Sequence, residues 1–323
     1  MVRVGILGTA NITRLFLGEP YREVRITAIA SRDPARAERF AGQHGIPRWF
    51  SSYEALLADE AIDAVYIPLP QHLHTEYTIQ AAHAGKHVLV EKPAALSVAE
   101  LDRMEAACRA SGVLFMEALM YRFKTLHKRV KELVAHGEIG QLEYVDFNWS
   151  FNIKKFRGEG FRMRTEQGGG SLYDLGIYGV DFLWYLSGMR PSVEAAYLWR
   201  DEPGGVDTLA HVVCTMGRTL GTITCGFTTD ANYYVLSGDH GSITVPKSVS
   251  GSPVENLLQL HLMEGDVASV ERIAPQNPYR LELDYFAGCV MRGETPEPGF
   301  ENARRNLSVM ETIFRRAREM TFL

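Results

Sequence analysis

The chain has 323 residues, of which 46% are hydrophobic and 23% charged, and its formal net charge is −5. This length is enough for two domains with a sizeable core. The slightly acidic balance, without basic blocks, gives no electrostatic reason to expect a nucleic-acid partner. No apolar run is as long as a membrane span, and the opening MVRVGILGTA predicts a strand rather than a signal peptide. We therefore expect a cytoplasmic protein without a membrane partner.

The cysteines and histidines do not form a metal-binding pattern. Four cysteines, at positions 108, 214, 225 and 289, lie far apart without CxxC spacing. Cysteines with this spacing are typically buried, where they pack as small apolar side chains, and they stay reduced in a reducing compartment. The ten histidines show neither HExxH nor another paired spacing. We expect no metal site.

Residues 1–120 alternate short apolar strands with helices. The predicted strands are VRVGIL (2–7), VRITAIAS (24–31), AVYIPLP (64–70), HVLVE (87–91) and VLFMEA (113–118). Strands that alternate with helices predict a doubly wound parallel sheet of the Rossmann type. This alternation predicts that residues 1–120 form an α/β domain.

Two helices in this region have clear start signals. Asp33 is a predicted cap for a helix that begins at Pro34 and ends at Gly45. Ser97 begins another helix, in which Glu100 completes a capping box. The segment TRLFLGEPY (13–21) is predicted to start a further helix.

Residues 121–323 have a different pattern, with long segments of strand alternation. A helix is predicted in LHKRVKELVAHG (126–137), strands in LEYVDFNWSFN (142–152), AHVVCTMGRTLGTITCGFTT (210–229), YVLSGDHGSITVPK (234–247) and NLLQLHLME (256–264), and a closing helix in FENARRNLSVMETIFRRARE (300–319). This pattern predicts an α+β domain with an open, mainly antiparallel sheet for substrate binding and oligomerisation. Two positions are open for the closing helix, within this domain or packed back on the first domain. We expect a ligand in the crevice between the two domains.

The first strand–helix turn, VGILGTANIT (4–13), partly matches a dinucleotide fingerprint. Gly8 takes the first glycine position, but Ala10 and Thr13 replace the second and third glycines, so an ordinary tight turn remains an alternative. Ser31 and Arg32 follow the second strand, where such folds read the ribose 2′ position. Because an Arg accepts a 2′-phosphate, NADP(H) is favoured over NAD(H).

The segment GGGSLYDLGIYGVD (168–181) opens a predicted helix with three glycines. Asp174 and Tyr178 lie four residues apart and are expected on one face. Lys92 follows the strand HVLVE at the carboxyl edge, where parallel sheets bind ligands, and Pro93 restricts its backbone. A phenol and an ammonium that converge on one oxygen can protonate an alkoxide and stabilise its charge. The alternatives are a core tyrosine and a surface lysine.

Together, VGILGTANI, VEKPAALSVAE and GGGSLYDLGIYGVD resemble the Gfo/Idh/MocA oxidoreductases. The resemblance implies a Rossmann domain plus an open-sheet domain, with Lys92 as the lysine of the Glu-Lys-Pro motif and Asp174 as the helical aspartate. Tyr178 stands where many members carry His, as in the branch of glucose–fructose oxidoreductase, dimeric dihydrodiol dehydrogenase, xylose dehydrogenases and sugar 3-ketoreductases. That branch often reads NFR-x-D-P before its glycines. Here Arg164 and Thr165 replace the Asp and Pro, which leaves the substrate open.

These arguments give a set of candidate residues. The catalytic candidates are Lys92, Tyr178 and Asp174. The cofactor-binding candidates are Gly8, Thr9, Ala10, Asn11, Ile12, Ser31, Arg32, Leu69, Pro70, Gln71, His74, Glu91, Lys92 and Arg162. The substrate-binding candidates are Lys92, Tyr121, Arg122, Arg162, Asp174 and Tyr178. The alternatives are a structural helix start for His74, an ion pair for Arg122 and a turn cap for Asp207.

The expected function is hydride transfer between NADP(H) and a carbonyl or hydroxyl of a sugar-like polyol. The candidate residues expected to line the crevice are polar, which suits a hydroxyl-rich substrate. A trans-dihydrodiol dehydrogenase and a non-catalytic NADP-binding regulator are the alternatives. The apolar alternation in HVVCTM (211–216) and TITCGF (222–227) predicts a covered sheet face, and hence a homodimer or homotetramer.

Overall fold

The structure, a computed structural model, describes residues 1–155, 160–247, 249, 256–264 and 267–321. The chain divides into two compact units. The first comprises Met1–Met120 and Asn277–Arg304, and the second Tyr121–Gln276 and Arg305–Leu323. Within the described ranges, none of the helices combines the length and apolar composition that crossing a membrane requires.

The first unit is built on a six-stranded parallel sheet. Its strands are β1 (Val2–Leu7), β2 (Val24–Ala30), β3 (Arg48–Phe50), β4 (Ala64–Ile67), β5 (His87–Glu91) and β6 (Phe115–Ala118), and its helices are α1 (Pro34–His44), α2 (Tyr53–Leu57), α3 (His74–His83), α4 (Val98–Ser111) and, after the second unit, α7 (Pro278–Arg292). The strand order is β3-β2-β1-β4-β5-β6, and every pair is parallel. This order reverses direction at β1, which confirms the predicted doubly wound sheet.

The helix signals in the first unit have mixed outcomes. The Asp33 carboxylate accepts from the Arg36 N–H at 3.2 Å, and the Ser97 hydroxyl accepts from the Glu100 N–H at 3.2 Å, so both predicted caps are confirmed. The helix predicted in TRLFLGEPY is wrong, because only a short 3₁₀ turn, Asn11–Leu15, forms there. Pro20 disfavours helical geometry in the residue before it, which leaves little length for a helix.

The second unit is built on a nine-stranded mixed sheet. Its strands are β7 (Leu142–Ser150), β8 (Ser192–Arg200), β9 (Asp207–Met216), β10 (Thr219–Gly226), β11 (Ala231–Gly238), β12 (Gly241–Pro246), β13 (Asn256–Leu262), β14 (Val267–Ile273) and β15 (Arg318–Thr321), and its helices are α5 (Thr125–Ala135) and α6 (Ile177–Ser187). The order is β14-β13-β12-β11-β7-β10-β9-β8-β15, in which only β7/β10 and β8/β15 are parallel. The predicted mainly antiparallel sheet is confirmed.

The closing helix α8 (Phe300–Arg316) is three residues shorter than predicted at its carboxyl end. The chain then forms β15, which pairs in parallel with β8. The prediction of helix up to residue 319 is therefore wrong. The segment after Arg316 has an amphipathic helical pattern, but it pairs with β8 as a strand instead.

One face of the large sheet packs against α6. Gly179 of this helix lies so close to the sheet that a Cβ atom would stand 2.6 Å from Ile223 Cγ2 and 2.9 Å from Phe147 Cδ1. Glycine therefore allows the close approach of helix and sheet. This approach fixes the position of Tyr178, the preceding residue.

Candidate active site

The turn after β1 requires glycine at position 8. Gly8 has a φ of +101°, and its N–H donates to the Ala30 carbonyl at 2.8 Å. A Cβ atom here would lie 2.9 Å from Leu69 Cδ2 and 3.7 Å from the Tyr53 hydroxyl. A side chain at this position would clash with Leu69 and would be strained at this φ, so the turn requires glycine, as the first position of a dinucleotide fingerprint does.

Polar and basic groups surround this turn. Thr9 and Ser31 are buried, and the Arg36 Nη2 donates to the Thr9 carbonyl at 3.2 Å. Arg32 is exposed, and its charge acts on the Tyr53 hydroxyl, whose pKa burial raises. Arg36 was not predicted as a residue near this turn. Its position in the first turn of α1, four residues after Arg32, is the sequence feature that could have indicated it.

Gln71 offers an unused polar atom at the end of β4. Its side chain is 3% exposed, and among the described residues its Oε1 has no hydrogen-bond partner. A buried carbonyl oxygen without a donor is costly unless a ligand or water supplies one. A carboxamide or a ribose hydroxyl is the type of donor that fits.

His74 contacts two backbone carbonyls. Its ring is fully buried, with Nδ1 2.8 Å from the Pro93 oxygen and Nε2 2.8 Å from the Leu69 oxygen. Burial lowers its pKa to about 4, although both carbonyls favour the protonated ring. These contacts tie the loop after β4 to the turn after β5, which favours the structural alternative for His74 over a cofactor contact.

Three contacts hold the backbone around Lys92. The Lys92 N–H donates to Glu91 Oε2 at 3.3 Å, the Ala94 N–H donates to Glu117 Oε1 at 2.9 Å, and the Pro93 carbonyl contacts His74. We call residues 91–94 the EKP turn. Glu91 was predicted to bind the cofactor. In the structure its carboxylate also accepts from the Tyr66 hydroxyl, so it is engaged in contacts that stabilise the EKP turn.

The glycine run of the second unit is closed by Asp207. This carboxylate is 2% exposed and accepts from Ser171 Oγ and from the Leu172 N–H, both at 2.7 Å. Gly170, with a φ of +116°, leaves space for it. Burial raises the pKa of Asp207 to about 6. The structure therefore favours a cap role for this residue.

The helix after the glycines does not begin as an α-helix. Leu172–Gly176 forms a π-helical turn, and α6 follows directly. The prediction of one α-helical turn between Asp174 and Tyr178 is wrong, because the wider π turn changes their angular spacing. Single π turns occur frequently at functional sites.

Asp174 pairs with Arg162. Arg162 Nε donates to Asp174 Oδ2 at 2.6 Å, the carboxylate is 6% exposed and the guanidinium side chain 39% exposed. The guanidinium lies over the Phe161 and Phe151 rings, at 5.0 and 5.8 Å from their centroids. Two predicted site residues are thus brought together as a pair that water reaches from the arginine side.

Tyr178 packs between aromatic rings. It is 3% exposed, with its ring centroid 4.6 Å from Trp149 and 6.0 Å from Tyr121, both edge-on. Trp149 was not predicted from the sequence as a neighbour of the site. The available signal was its position, as an aromatic residue near the end of the alternating segment that forms β7. The packing fixes the ring of Tyr178.

Tyr121 and Arg122 belong to an internal network. The Tyr121 hydroxyl, Arg122 Nε and Nη2, and Asn306 Nδ2 all donate to the Asp181 carboxylate, with Arg122 at 2.7 and 2.6 Å. Asp181 is fully buried. The structure favours the ion-pair alternative for Arg122, and the network anchors α6 rather than presenting Tyr121 to a ligand.

The described residues include no cluster of three or more histidine, cysteine, aspartate or glutamate side chains able to hold a metal ion. A doubly wound sheet with a glycine turn after β1, joined to an open-sheet unit, defines a Rossmann-type dinucleotide-dependent oxidoreductase. Residues 2–119 match the oxidoreductase family with NAD-binding Rossmann fold, and residues 127–244 match the GFO/IDH/MocA C-terminal domain. The chain belongs to the Gfo/Idh/MocA family, as the resemblance implied.

Several characterised proteins are similar over most of the chain. A D-xylose 1-dehydrogenase (NADP(+)) of Haloferax volcanii is 37% identical over 96% of this chain and 94% of its own. A trans-1,2-dihydrobenzene-1,2-diol dehydrogenase of Bos taurus is 31% identical over 75% of this chain and 71% of its own. The crystal structure of KijD10, a 3-ketoreductase from Actinomadura kijaniata in complex with NADP and TDP-benzene, superposes with a TM-score of 0.91 at 27% identity and covers 100% of this chain and 99% of that chain.

Proposed function

We propose that this chain is an NADP-dependent oxidoreductase that transfers a hydride between the nicotinamide and a carbonyl or hydroxyl carbon of a sugar or sugar-like polyol. The observation that carries the proposal is the 37% identity to an NADP-dependent xylose dehydrogenase along nearly the whole of both chains. The glycine turn and the arrangement around Tyr178 support it locally.

The first unit has residues that fit NADP. The glycine turn at Gly8 suits a dinucleotide, as does the buried Oε1 of Gln71, which has no hydrogen-bond partner within the part of the chain that the structure describes. In the proposal, residues 9–12 bind the pyrophosphate, Ser31 and Arg32 bind the 2′-phosphate, and Gln71 binds the nicotinamide end. Arg36, beside Thr9, adds positive charge for the phosphates.

The chemistry is shared between the cofactor and two side chains. NADP(H), when bound, gives or accepts the hydride. Tyr178 donates the proton that the substrate oxygen needs on reduction and accepts it on oxidation. The Lys92 ammonium stabilises negative charge on that oxygen, and the contacts that hold the EKP turn fix the backbone from which this side chain extends.

The Arg162–Asp174 pair is the proposed substrate contact. A carboxylate that keeps acceptor capacity beside a guanidinium offers both acceptors and donors to neighbouring hydroxyls. The pair is nearly neutral as a whole, which suits an uncharged polyol.

Absorbance of NADPH tests the function directly. The purified chain is mixed with NADP⁺ and a panel of aldoses, and separately with NADPH and a panel of keto-sugars and nucleotide keto-sugars. Turnover with at least one sugar, faster with NADP(H) than with NAD(H), supports the proposal. Tight NADP binding without turnover across both panels would instead favour the non-catalytic regulator.

A dihydrodiol is the second candidate substrate, because the chain is also 31% identical to trans-dihydrodiol dehydrogenase and carries Trp149 and Phe151 near the proposed site. A benzene dihydrodiol in the same assay separates the two. A higher kcat/KM for the dihydrodiol than for every sugar would reverse the order of preference.

We also propose a homo-oligomer that packs through the outer face of the large sheet. From Thr208 in β9 and from Tyr233 in β11, buried side chains alternate with partly exposed ones, which include Val213, Tyr233 and Val235, and Tyr197 of β8 is also partly exposed. A partly apolar sheet face of this size suits a second copy of the chain. The four cysteines are buried and free, which suits the cytoplasm as the proposed compartment.

A further inference from the structure

A small cavity of the second unit lies between the start of β8 and the last turns of α8. Its volume is about 200 Å³. The apolar part of its lining includes Val193 and Val309, which are 2% and 1% exposed. The polar part consists of two guanidinium groups and two hydroxyls, from Arg190, Arg316, Ser192 and Thr312. Among the described residues, none of those that line the cavity is acidic. We call it the arginine cavity.

Arg316, the last residue of α8, is oriented by a contact with β8. Its Nη1 donates to the Val193 carbonyl. A guanidinium group carries five N–H donors, so most of its donors remain available after this contact. The side chain is therefore tied to the wall of the cavity and can still bind an anion.

Two further guanidinium groups lie at the edge of the cavity. Arg190 is exposed, and within the described residues neither Arg190 nor Arg316 forms an ion pair with a carboxylate. Arg315 Nη2 donates to Thr312 Oγ1 at 3.2 Å, and the Thr312 hydroxyl donates to the Ser308 carbonyl at 2.9 Å. This second bond fixes the hydroxyl that holds Arg315 beside the cavity.

The positive charge of the arginine cavity is local. The chain as a whole has a formal net charge of −5. Glu194, the acidic residue of β8 that follows Val193, is not a lining residue, and its Oε1 accepts from Thr215 Oγ1 at 2.7 Å. Like charges that converge beside an apolar wall repel each other, and a bound anion removes this repulsion.

We propose that the arginine cavity binds a small, doubly charged oxyanion, with inorganic phosphate as its simplest form. Arg190 and Arg316 supply charge-assisted hydrogen bonds from planar groups that match the geometry of phosphate oxygens. The exposed hydroxyl of Ser192 is a further donor. None of these residues is among the proposed cofactor or substrate contacts, so the site is additional to the proposed hydride transfer.

Calorimetric titration with inorganic phosphate tests the site. The chain is first saturated with NADP⁺, so that phosphate does not bind at Ser31 and Arg32, and chloride keeps the ionic strength constant. At about pH 8, where phosphate is mostly doubly charged, we expect one phosphate per chain with a Kd in the millimolar range. Arg190→Gln and Arg316→Gln are each expected to weaken binding about 10-fold, the scale of a lost charge-assisted hydrogen bond.

Arg218→Gln is the matched control. Arg218 is an exposed arginine of the same unit, and its Nη2 lies 3.4 Å from Glu143 Oε1. Its loss changes the net charge equally and is expected to leave the Kd for phosphate unchanged. An equal loss of affinity in Arg218→Gln would mean that only the total charge matters, and would overturn the proposal.

Three other results overturn the proposal as well. They are the absence of saturable binding up to tens of millimolar phosphate, binding that survives both Arg190→Gln and Arg316→Gln, and binding that is lost in Arg32→Ala instead. Because Arg190 has no ion pair to lose in the described part of the chain, Arg190→Gln is expected to fold even if Arg316→Gln does not.

A second titration identifies the source of the anion. Phenyl phosphate carries the same group on a larger molecule. Tighter binding of phenyl phosphate than of inorganic phosphate would support the terminal phosphate of a larger molecule as the ligand, whereas equal or weaker binding would support the free ion. Neither titration depends on turnover, so failure of the proposed hydride transfer leaves this test intact.

Discussion

Arg32 and Asp33 are neighbours after β2, but their environments differ. The Asp33 carboxylate caps α1, whereas Arg32 is exposed beside Tyr53. A capping carboxylate is already engaged with an N–H group, and the guanidinium next to it is placed to attract a phosphate. At the residue scale, we therefore expect the preference between NADP(H) and NAD(H) to depend on the residue at position 32.

We predict that the wild type binds NADPH more tightly than NADH and that Arg32→Ala narrows the gap by about 1–3 kcal/mol, the scale of a charge-assisted hydrogen bond. Fluorescence titration with both cofactors measures this. Arg25→Ala, which removes an exposed arginine from β2, the strand that Arg32 follows, is the control and should leave the gap unchanged. Equal or tighter binding of NADH by the wild type would transfer the role to Asp33.

The Arg162–Asp174 pair gives a second prediction at this scale. Asp174→Asn is expected to raise KM for the sugar and to lower kcat less than a change at Lys92 or Tyr178, because the carboxylate binds the substrate rather than reacting. Steady-state kinetics checks this. The control is Asp230→Asn, which breaks the exposed Lys155–Asp230 pair in the same unit. A loss of kcat in Asp174→Asn as large as in Tyr178→Phe would show a catalytic role instead.

At the scale of elements, the start of the π turn depends on one buried carboxyl group. Asp207 accepts from Ser171 and Leu172, and burial raises its pKa from 3.8 to about 6. A raised carboxyl pKa means that the folded protein binds this proton more tightly than the unfolded chain. The stability contributed by the protonated form is complete below the unfolded pKa and is lost as pH rises towards the folded pKa.

We therefore predict that, through Asp207, the free energy of unfolding falls between about pH 4 and pH 6, by on the order of 3 kcal/mol. Other groups titrate in this range as well, so the comparison is with Asp207→Asn, which lacks this term. Denaturant unfolding at several pH values measures the free energy of unfolding of both proteins. As pH rises from 4 to 6, the wild type should lose stability relative to Asp207→Asn. Parallel pH profiles for both proteins would refute the raised pKa.

Local signals predicted several elements correctly. Asp33 and Ser97 cap helices because their side chains satisfy N–H groups that lie only three residues away. The π turn at Leu172–Gly176 was not predictable in this way, since Asp207 and the glycines hold it from another part of the chain. Likewise, β15 forms only because β8 supplies a pairing edge.

The candidate site shows the same division. Lys92, Asp174 and Tyr178 were predicted from motifs, but neighbours that fix their positions come from distant segments, as Trp149 of β7 does for Tyr178.

At the scale of the whole molecule, the proposed interface is the outer face of the nine-stranded sheet. We predict a homodimer or homotetramer at micromolar concentration, measured by light scattering. Val213→Asp, at a half-exposed position of β9, is expected to shift the mass towards the monomer. Met263→Asp is the control, since Met263 is exposed at the end of β13, outside that alternation. A monomeric wild type would contradict the proposed interface.

The most direct test of the central claim is a double-mutant cycle in kcat for Lys92→Met and Tyr178→Phe. Tyr178→Phe removes the proposed proton donor but keeps the ring that packs against Trp149 and Tyr121, so the fold and NADPH affinity should survive. We predict that each single change lowers kcat by roughly 10²–10⁴-fold, and that the double variant loses far less than the product, because the two groups act as one unit. Near wild-type turnover in Tyr178→Phe would contradict the account, since the phenol would then be a packing residue and the proton donor would lie elsewhere.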